Sequence, residues 1–164
     1  TPIERRRLEG LDHASLAEYQ LKRLNRLLGA ILPANRFYAR KLAGCQVPLK
    51  SLDDLCQFPM TTREELLSLG PEEYTPANLT YPPEHYVRSH QTSGTHGRPM
   101  VVLDTPTDWQ WWIDSWQFVL DAAEIGPNDR AVLAFSFGPF IGFWSAFESR
   151  PPESTLPDGG ITAL

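Results

Sequence analysis

Met100-Val101-Val102-Leu103-Asp104-Thr105-Pro106-Thr107-Asp108-Trp109 is the stretch on which the fold turns. Met100 to Leu103 is a short apolar run and reads as a strand. Thr105 offers a hydroxyl cap, Pro106 presets the first helical φ, and Asp108 stands three residues after the cap, so a helix starts here. Trp109, Trp112, Ile113, Trp116, Leu120 and Ala123 then share one face until Gly126-Pro127 stops the helix. Arg130 to Ser136 is a second apolar run, predicted to be a buried strand parallel to the first and reached by a right-handed crossover. Strand, helix and strand in this order imply an α/β fold with a β-α-β unit. The indoles at helical spacing read as core packing against the sheet, with no chemistry of their own.

Working upstream, Tyr86 to His90 is a strand candidate, separated from Met100 by the polar run Thr92-Ser93-Gly94-Thr95-His96-Gly97-Arg98-Pro99, so the two strands bracket a loop. Residues 71 to 85 are rich in proline and lack periodicity, as an irregular connector does. Before them the chain reads as helical. Leu16, Leu24, Leu27, Leu28 and Ile31 mark one face of an amphipathic helix ending at Pro33, and Asn35 to Ala43 forms a second. Ser51 and Asp53 are expected to cap a turn over Leu52 to Cys56, and Thr62-x-x-Glu65 to open a helix running to Gly70-Pro71. The expected division is a helical segment and connector over 1–85, a partial α/β unit over 86–148, and a disordered Pro- and Gly-containing tail over 149–164.

Composition removes several classes of function. The net charge is −5 and the one basic cluster is Arg5 to Arg7, which is not the broad basic face a nucleic-acid binder needs. Cys45 and Cys56 have no Cys-x-x-Cys or His companion, so neither a zinc site nor a disulfide framework is expected, and a reducing cytoplasm fits. No signal peptide is expected either, the first thirty residues being heavily charged. Residues 131 to 147 are uncharged and just reach the length of about 17 residues that a spanning helix needs. Gly138-Pro139 interrupts them, so strand, turn and helix start is the better reading than a membrane span.

The loop from Thr92 to Pro99 carries the chemistry. Glycines let backbone N–H groups turn toward an anion, hydroxyls donate to phosphate oxygens, and a guanidinium adds bidentate charge. The Walker spacing G-x-x-x-x-G-K-[ST] and its following helix are missing. Taken alone, such a loop is as readily a flexible polar hairpin as a polyphosphate grip.

In context the loop resembles the phosphate loop [ST]-S-G-[ST]-T-G-x-P of the acyl-adenylate-forming superfamily, and the chain is similar to the phenylacetate-CoA ligase group over about residues 10 to 148. Leu24-Asn25-Arg26-Leu27-Leu28 and Asn35 to Leu42 resemble that group's opening helices, and Phe58-Pro59-Met60-Thr61-Thr62-Arg63-Glu64-Glu65-Leu66 its Phe-Pro-x-Thr-Thr-Lys-Glu-x-Leu segment. Arg88-Ser89-His90-Gln91 matches the strand before the loop, and Phe135-Ser136-Phe137-Gly138-Pro139-Phe140 the aromatic segment that in relatives lines the acyl pocket. His96 replaces the usual Thr, and Arg98 the commoner Lys, which keeps the charge.

The resemblance implies N-terminal helices followed by part of the large-domain sheet of an adenylating enzyme. It implies Thr92, Ser93, Gly94, Thr95, His96, Gly97 and Arg98 as the nucleotide-phosphate contacts, and Phe135, Phe137, Gly138 and Phe140 as the pocket for a carboxylic acid, an apolar or aryl acid suiting these rings best. ATP, Mg2+ and coenzyme A are the implied cofactors: acyl adenylation first, thioester formation second. The family's downstream adenine, ribose and lysine motifs do not occur here, and the Pro-rich tail stands where a helix is expected, as in a truncated, frameshifted or spliced product. The chain is therefore expected to be inactive alone. Its alternatives are a non-catalytic polyphosphate-binding or interaction module, and a remnant without function.

Overall fold

The computed structural model describes residues 1–67, 75–94, 97–126, 129, 132–134 and 137–149. They fall into two compact units, Thr1–Pro83 and Glu84–Leu164.

The first unit is helical. Helix α1 (Pro2–Glu9) is capped by Thr1, and α2 (His13–Ile31) by Asp12, whose carboxylate accepts from the Ser15 N–H at 2.8 Å. The apolar stripe of α2 delivers Leu28 to a core with Leu42 and Leu49, flanked by Leu21, Leu24, Leu32, Val47 and Phe58. Each such leucine contributes about 1.5–3 kcal/mol by leaving water. Asn25 fixes the segment that carries Leu49: its amide donates to the Leu49 carbonyl and its oxygen accepts the Leu49 N–H, both at 2.8 Å. Asn35, only 2% exposed, caps α3 (Arg36–Lys41) through the Tyr38 N–H and donates to the Asn78 carbonyl at 2.8 Å.

Two local expectations need correction. The turn at Leu52–Gln57 is a 3-10 helix boxed by Ser51 and Asp54 rather than Asp53, because position N3 alone can reach back to the cap N–H. The Thr62–Glu65 box forms, but α4 spans only Arg63–Leu66. The chain turns extended at Leu67, and the Leu66 carbonyl accepts the Ala77 N–H at 3.2 Å. The rest of the predicted helix, beyond Leu67, lies outside the described residues.

In the second unit β1 (Arg88–Gln91) and β2 (Val101–Asp104) pair antiparallel, with His90 opposite Val102 and Arg88 opposite Asp104. Opposed residues share a face, so Arg88, His90, Val102 and Asp104 lie on one side of the ribbon. Helix α5 (Pro106–Ala122) begins at the predicted Thr105–Asp108 box. It ends before Gly126, because Glu124 takes φ 55 and the Ile125 N–H reaches back to the Leu120 carbonyl at 3.0 Å, closing a Schellman turn. Of the run Arg130–Ser136, only Val132, Leu133 and Ala134 are described; Leu133 makes an isolated bridge, and Val132 is 67% exposed where the apolar pattern predicted burial. Among the described residues the sheet is the β1–β2 ribbon.

The helix α6 (Ile141–Glu148) starts right after Gly138-Pro139, the break expected from the proline. Among the described residues no helix is long and apolar enough to cross a membrane. The tryptophan face of α5 is covered in part by α6 as well as by the ribbon: Trp116 Nε1 donates to Ser145 Oγ at 2.9 Å, and Trp109 is buried over β1. Of the tail expected over 149–164, Ser149 is buried, its carbonyl accepting from Gln117 Nε2, and residues 150–164 lie outside the described residues.

Candidate functional site

The loop leaves β1 at Gln91 and returns at Val101. Its stem is closed twice, by the Thr92 N–H donating to the Met100 carbonyl at 3.0 Å and the Met100 N–H donating to Thr92 Oγ1 at 2.9 Å. The Thr92 hydroxyl thus serves as a stem acceptor before any ligand role. Gly94 takes φ 67 and Gly97 φ 133, both in the region that disfavours other residues, and the Gly97 N–H donates to the Gly94 carbonyl at 2.9 Å. A Cβ on Gly94 would sit 2.9 Å from the Gly97 carbonyl oxygen, so the turn tolerates glycine only. Among the described residues a Cβ on Gly97 would meet nothing within 4 Å. Ser93 is exposed and Arg98 half-buried; Thr95 and His96 lie outside the described residues.

The expected pocket segment comes to the same place. The Gln91 N–H donates to the Pro139 carbonyl at 2.8 Å, tying the base of the loop to the turn that precedes α6. Within that turn Gly138 accepts from Trp144 Nε1 at 2.9 Å. Phe137 packs on Trp144 and Phe147, with ring centroids 4.7 and 5.1 Å away, while Phe140 is 40% exposed. Phe140 in turn stands edge-on to Phe143, with ring centroids 6.0 Å apart. Phe135 lies outside the described residues.

Sequence reading missed what lies beneath the loop. Arg88 Nη2 donates to both Glu148 oxygens at 3.0 Å, Trp109 Nε1 donates to Glu148 Oε2 at 2.7 Å, and the Arg88 guanidinium rests 5.2 Å over the Trp109 ring. The other partner of Trp109 is His90, stacked at 5.4 Å. His90 Nε2 faces Asp104 Oδ2 at 3.3 Å with both side chains nearly sealed, 5% and 8% exposed. The approach is too oblique for a hydrogen bond: both imidazole nitrogens and Asp104 Oδ2 lack one among the described residues. Burial holds the His90 pKa below its usual value against the pull of Asp104, and burial likewise raises that of Asp104 against the pull of His90. Arg88 and His90 alternate along β1, which was a signal that they share a face; Glu148 lies 60 residues from Arg88 and gave none.

The fold and this loop define the chain as one of the adenylate-forming ligase class. A crystal structure of 2-hydroxyisobutyryl-CoA ligase in complex with 2-HIB-AMP and CoA, in the thioesterification state, superposes with a TM-score of 0.73 at 27% identity, over 83% of this chain and 30% of that one. Its postadenylation state matches with a TM-score of 0.72 at 26% identity. The phenylacetate-coenzyme A ligase of Escherichia coli (strain K12) is 32% identical over 150 residues, 85% of this chain and 32% of its own length, and that of Pseudomonas putida is 30% identical over 145 residues, again covering 85% and 32%. No family model matches. The chain belongs among the phenylacetate-CoA ligase-like members of the acyl-adenylate-forming superfamily, and it spans about a third of the length of the curated relatives it matches.

Proposed function

We propose that this chain carries the phosphate-gripping and part of the acid-recognising portion of an ATP-dependent carboxylate-CoA ligase, and that it does not complete the reaction alone. The reading is carried by one observation: Gly94 and Gly97 both take positive φ in a loop whose stem is pinned by Thr92 and Met100 and tied through Gln91 to the Gly138-Pro139 turn. A turn held by two glycines of positive φ suits phosphate oxygens, with Ser93, Thr95 and Arg98 as donors, and Phe135, Phe137, Gly138 and Phe140 are the residues assigned to the acid. In such a reaction the carboxylate attacks the α-phosphate of ATP and pyrophosphate leaves, after which coenzyme A takes the acyl group. The loop would orient the leaving pyrophosphate and neutralise its charge, which is positioning and electrostatics. Among the described residues no three His, Cys, Asp or Glu side chains gather to hold a metal ion, so no step is assigned to Mg2+ bound by this chain.

Charge-assisted contacts of roughly 1.5–3 kcal/mol each must offset the ordering of a glycine-rich segment, so the chain alone should bind triphosphate with a dissociation constant of roughly millimolar order. Calorimetry should find ATP, GTP and pyrophosphate nearly equal, since adenine and ribose contacts come from elsewhere in relatives. Arg98→Ala should abolish binding and added salt weaken it. A strong preference for ATP, or AMP release dependent on an aryl acid, would contradict this division of labour.

A further inference from the structure

We propose that the buried His90–Asp104 pair positions the base of the Thr92–Arg98 loop and takes up a proton when the loop holds a polyphosphate. The inference rests on the phosphate-loop reading and names a coupling beneath it.

Three observations meet here. The first is placement: His90 sits one residue before the end of β1, from which the loop departs, and Asp104 ends β2, next to the Thr105 cap of α5. The pair lies diagonally across the ribbon, since His90 is registered against Val102 and Asp104 against Arg88. The second is the cost of keeping it. Among the described residues both imidazole nitrogens and Asp104 Oδ2 have no hydrogen-bond partner, Asp104 being met otherwise by the Trp112 side chain, and an apolar pair of similar volume would pack there with less penalty. The third is charge. Arg88 from β1, Asp104 from β2, Asp108 from α5 and Glu148 from α6 surround the pair, but Arg88 and Glu148 neutralise each other, which leaves the proton on His90 and Asp104 as the variable charge.

A strand rises about 3.3 Å per residue, so a polyphosphate at the start of the loop would lie on the order of 10 Å from the imidazole. An anion at that distance favours imidazolium over neutral imidazole, most at low ionic strength, because the exposed loop leaves its charge partly screened. By linkage, loop occupancy and His90 protonation then strengthen each other equally. Solvent supplies the proton and no bond to ligand forms.

The test follows the His90 ring nitrogens by NMR in the full chain, with and without saturating pyrophosphate. Sulfate, whose charge is fixed over this range, repeats the titration free of the probe's own protonation. The expected result is an upward shift of half to one pH unit, with affinity about threefold to tenfold greater at low than at high pH relative to a His90→Leu/Asp104→Leu double variant. If the variant binds more weakly by the same factor at every pH, and the ring titration does not move, the pair is structural only and the inference fails while the loop reading stands. Absence of any binding to the wild-type chain overturns both. If the double variant does not fold, the ring titration in the wild-type chain decides alone.

Discussion

Leucine fills the interior of the unit Thr1–Pro83, through Leu28, Leu42 and Leu49, whereas the unit that follows buries Trp109 together with His90, Asp104, Thr105, Ser145 and Ser149. The first unit draws its stability from apolar transfer and adds two asparagines that tie distant segments, Asn25 to Leu49 and the buried Asn35 to Asn78 and Thr80. In the second, an ion pair holds α6 to the ribbon, Arg88 to Glu148, and hydrogen bonds hold α5 to α6 and its C-cap: Trp109 to Glu148, Trp116 to Ser145, and Gln117 Nε2 to the Ser149 carbonyl at 2.6 Å. An apolar core fixes a shape cheaply. A polar interior fixes the orientation of individual groups, which is what the loop would require in the phosphate role proposed for it.

Substitutions should separate the two regimes. All five tryptophans lie between Trp109 and Trp144, so indole fluorescence reports on the second unit and far-ultraviolet circular dichroism on both. The largest effect is expected from Leu28→Ala, which removes a buried side chain from a small core and should cost about 2–5 kcal/mol, seen as early loss of helical signal with the indole transition unmoved. Coincident loss of both signals would show that the units do not melt separately. Next is Glu148→Ala, which leaves Arg88 and the Trp109 indole without their shared acceptor. Because both charged groups are partly exposed, about 1–3 kcal/mol is expected, read from tryptophan fluorescence.

Removal of one cap, Thr105→Ala, should cost about 1 kcal/mol by the same probe. Lys41→Met should change stability by less than about 1 kcal/mol, its pair with Glu65 being at the surface end of the scale. A greater effect there than at Glu148 would reverse the contrast drawn between the units. Acid gives a further sign. Burial holds the His90 pKa low, so its contribution is present above about 6.5 and is lost as pH falls toward its folded value; Asp104, raised, opposes this as pH rises above its usual range. In Asp104→Asn the opposing group is gone, and the fluorescence midpoint should fall between pH 7 and 5. A flat profile in that variant would mean that His90 titrates as it does in the unfolded chain.

What could be read from sequence was local in origin. The Thr62–Glu65 and Thr105–Asp108 boxes and the break at Pro139 each depend on residues within a few positions, and all are present, whereas the stripe expected on α2 holds at Leu24 and Leu28 but leaves Leu16 and Leu27 exposed, Leu21 and Leu32 packing on the core instead. The Leu66 carbonyl accepts from Ala77, distant in sequence, and Asn35 reaches Asn78 and Thr80. Spacing alone could not show these. At the site, the glycines and the stem were legible because their chemistry is intrinsic to the loop. The His90–Asp104 pair was not, since it requires the ribbon's register, and strand ends two residues out on either side give a different diagonal.

The central claim is that the loop between β1 and β2 grips phosphate. It is tested most directly by following the backbone amides of Gly94 and Gly97 as pyrophosphate is added to the folded chain, in wild type and in Arg98→Ala. The account predicts saturable shifts at both amides at roughly millimolar pyrophosphate, lost in the variant. Amides that do not move, or that move equally when Arg98 is gone, would contradict it.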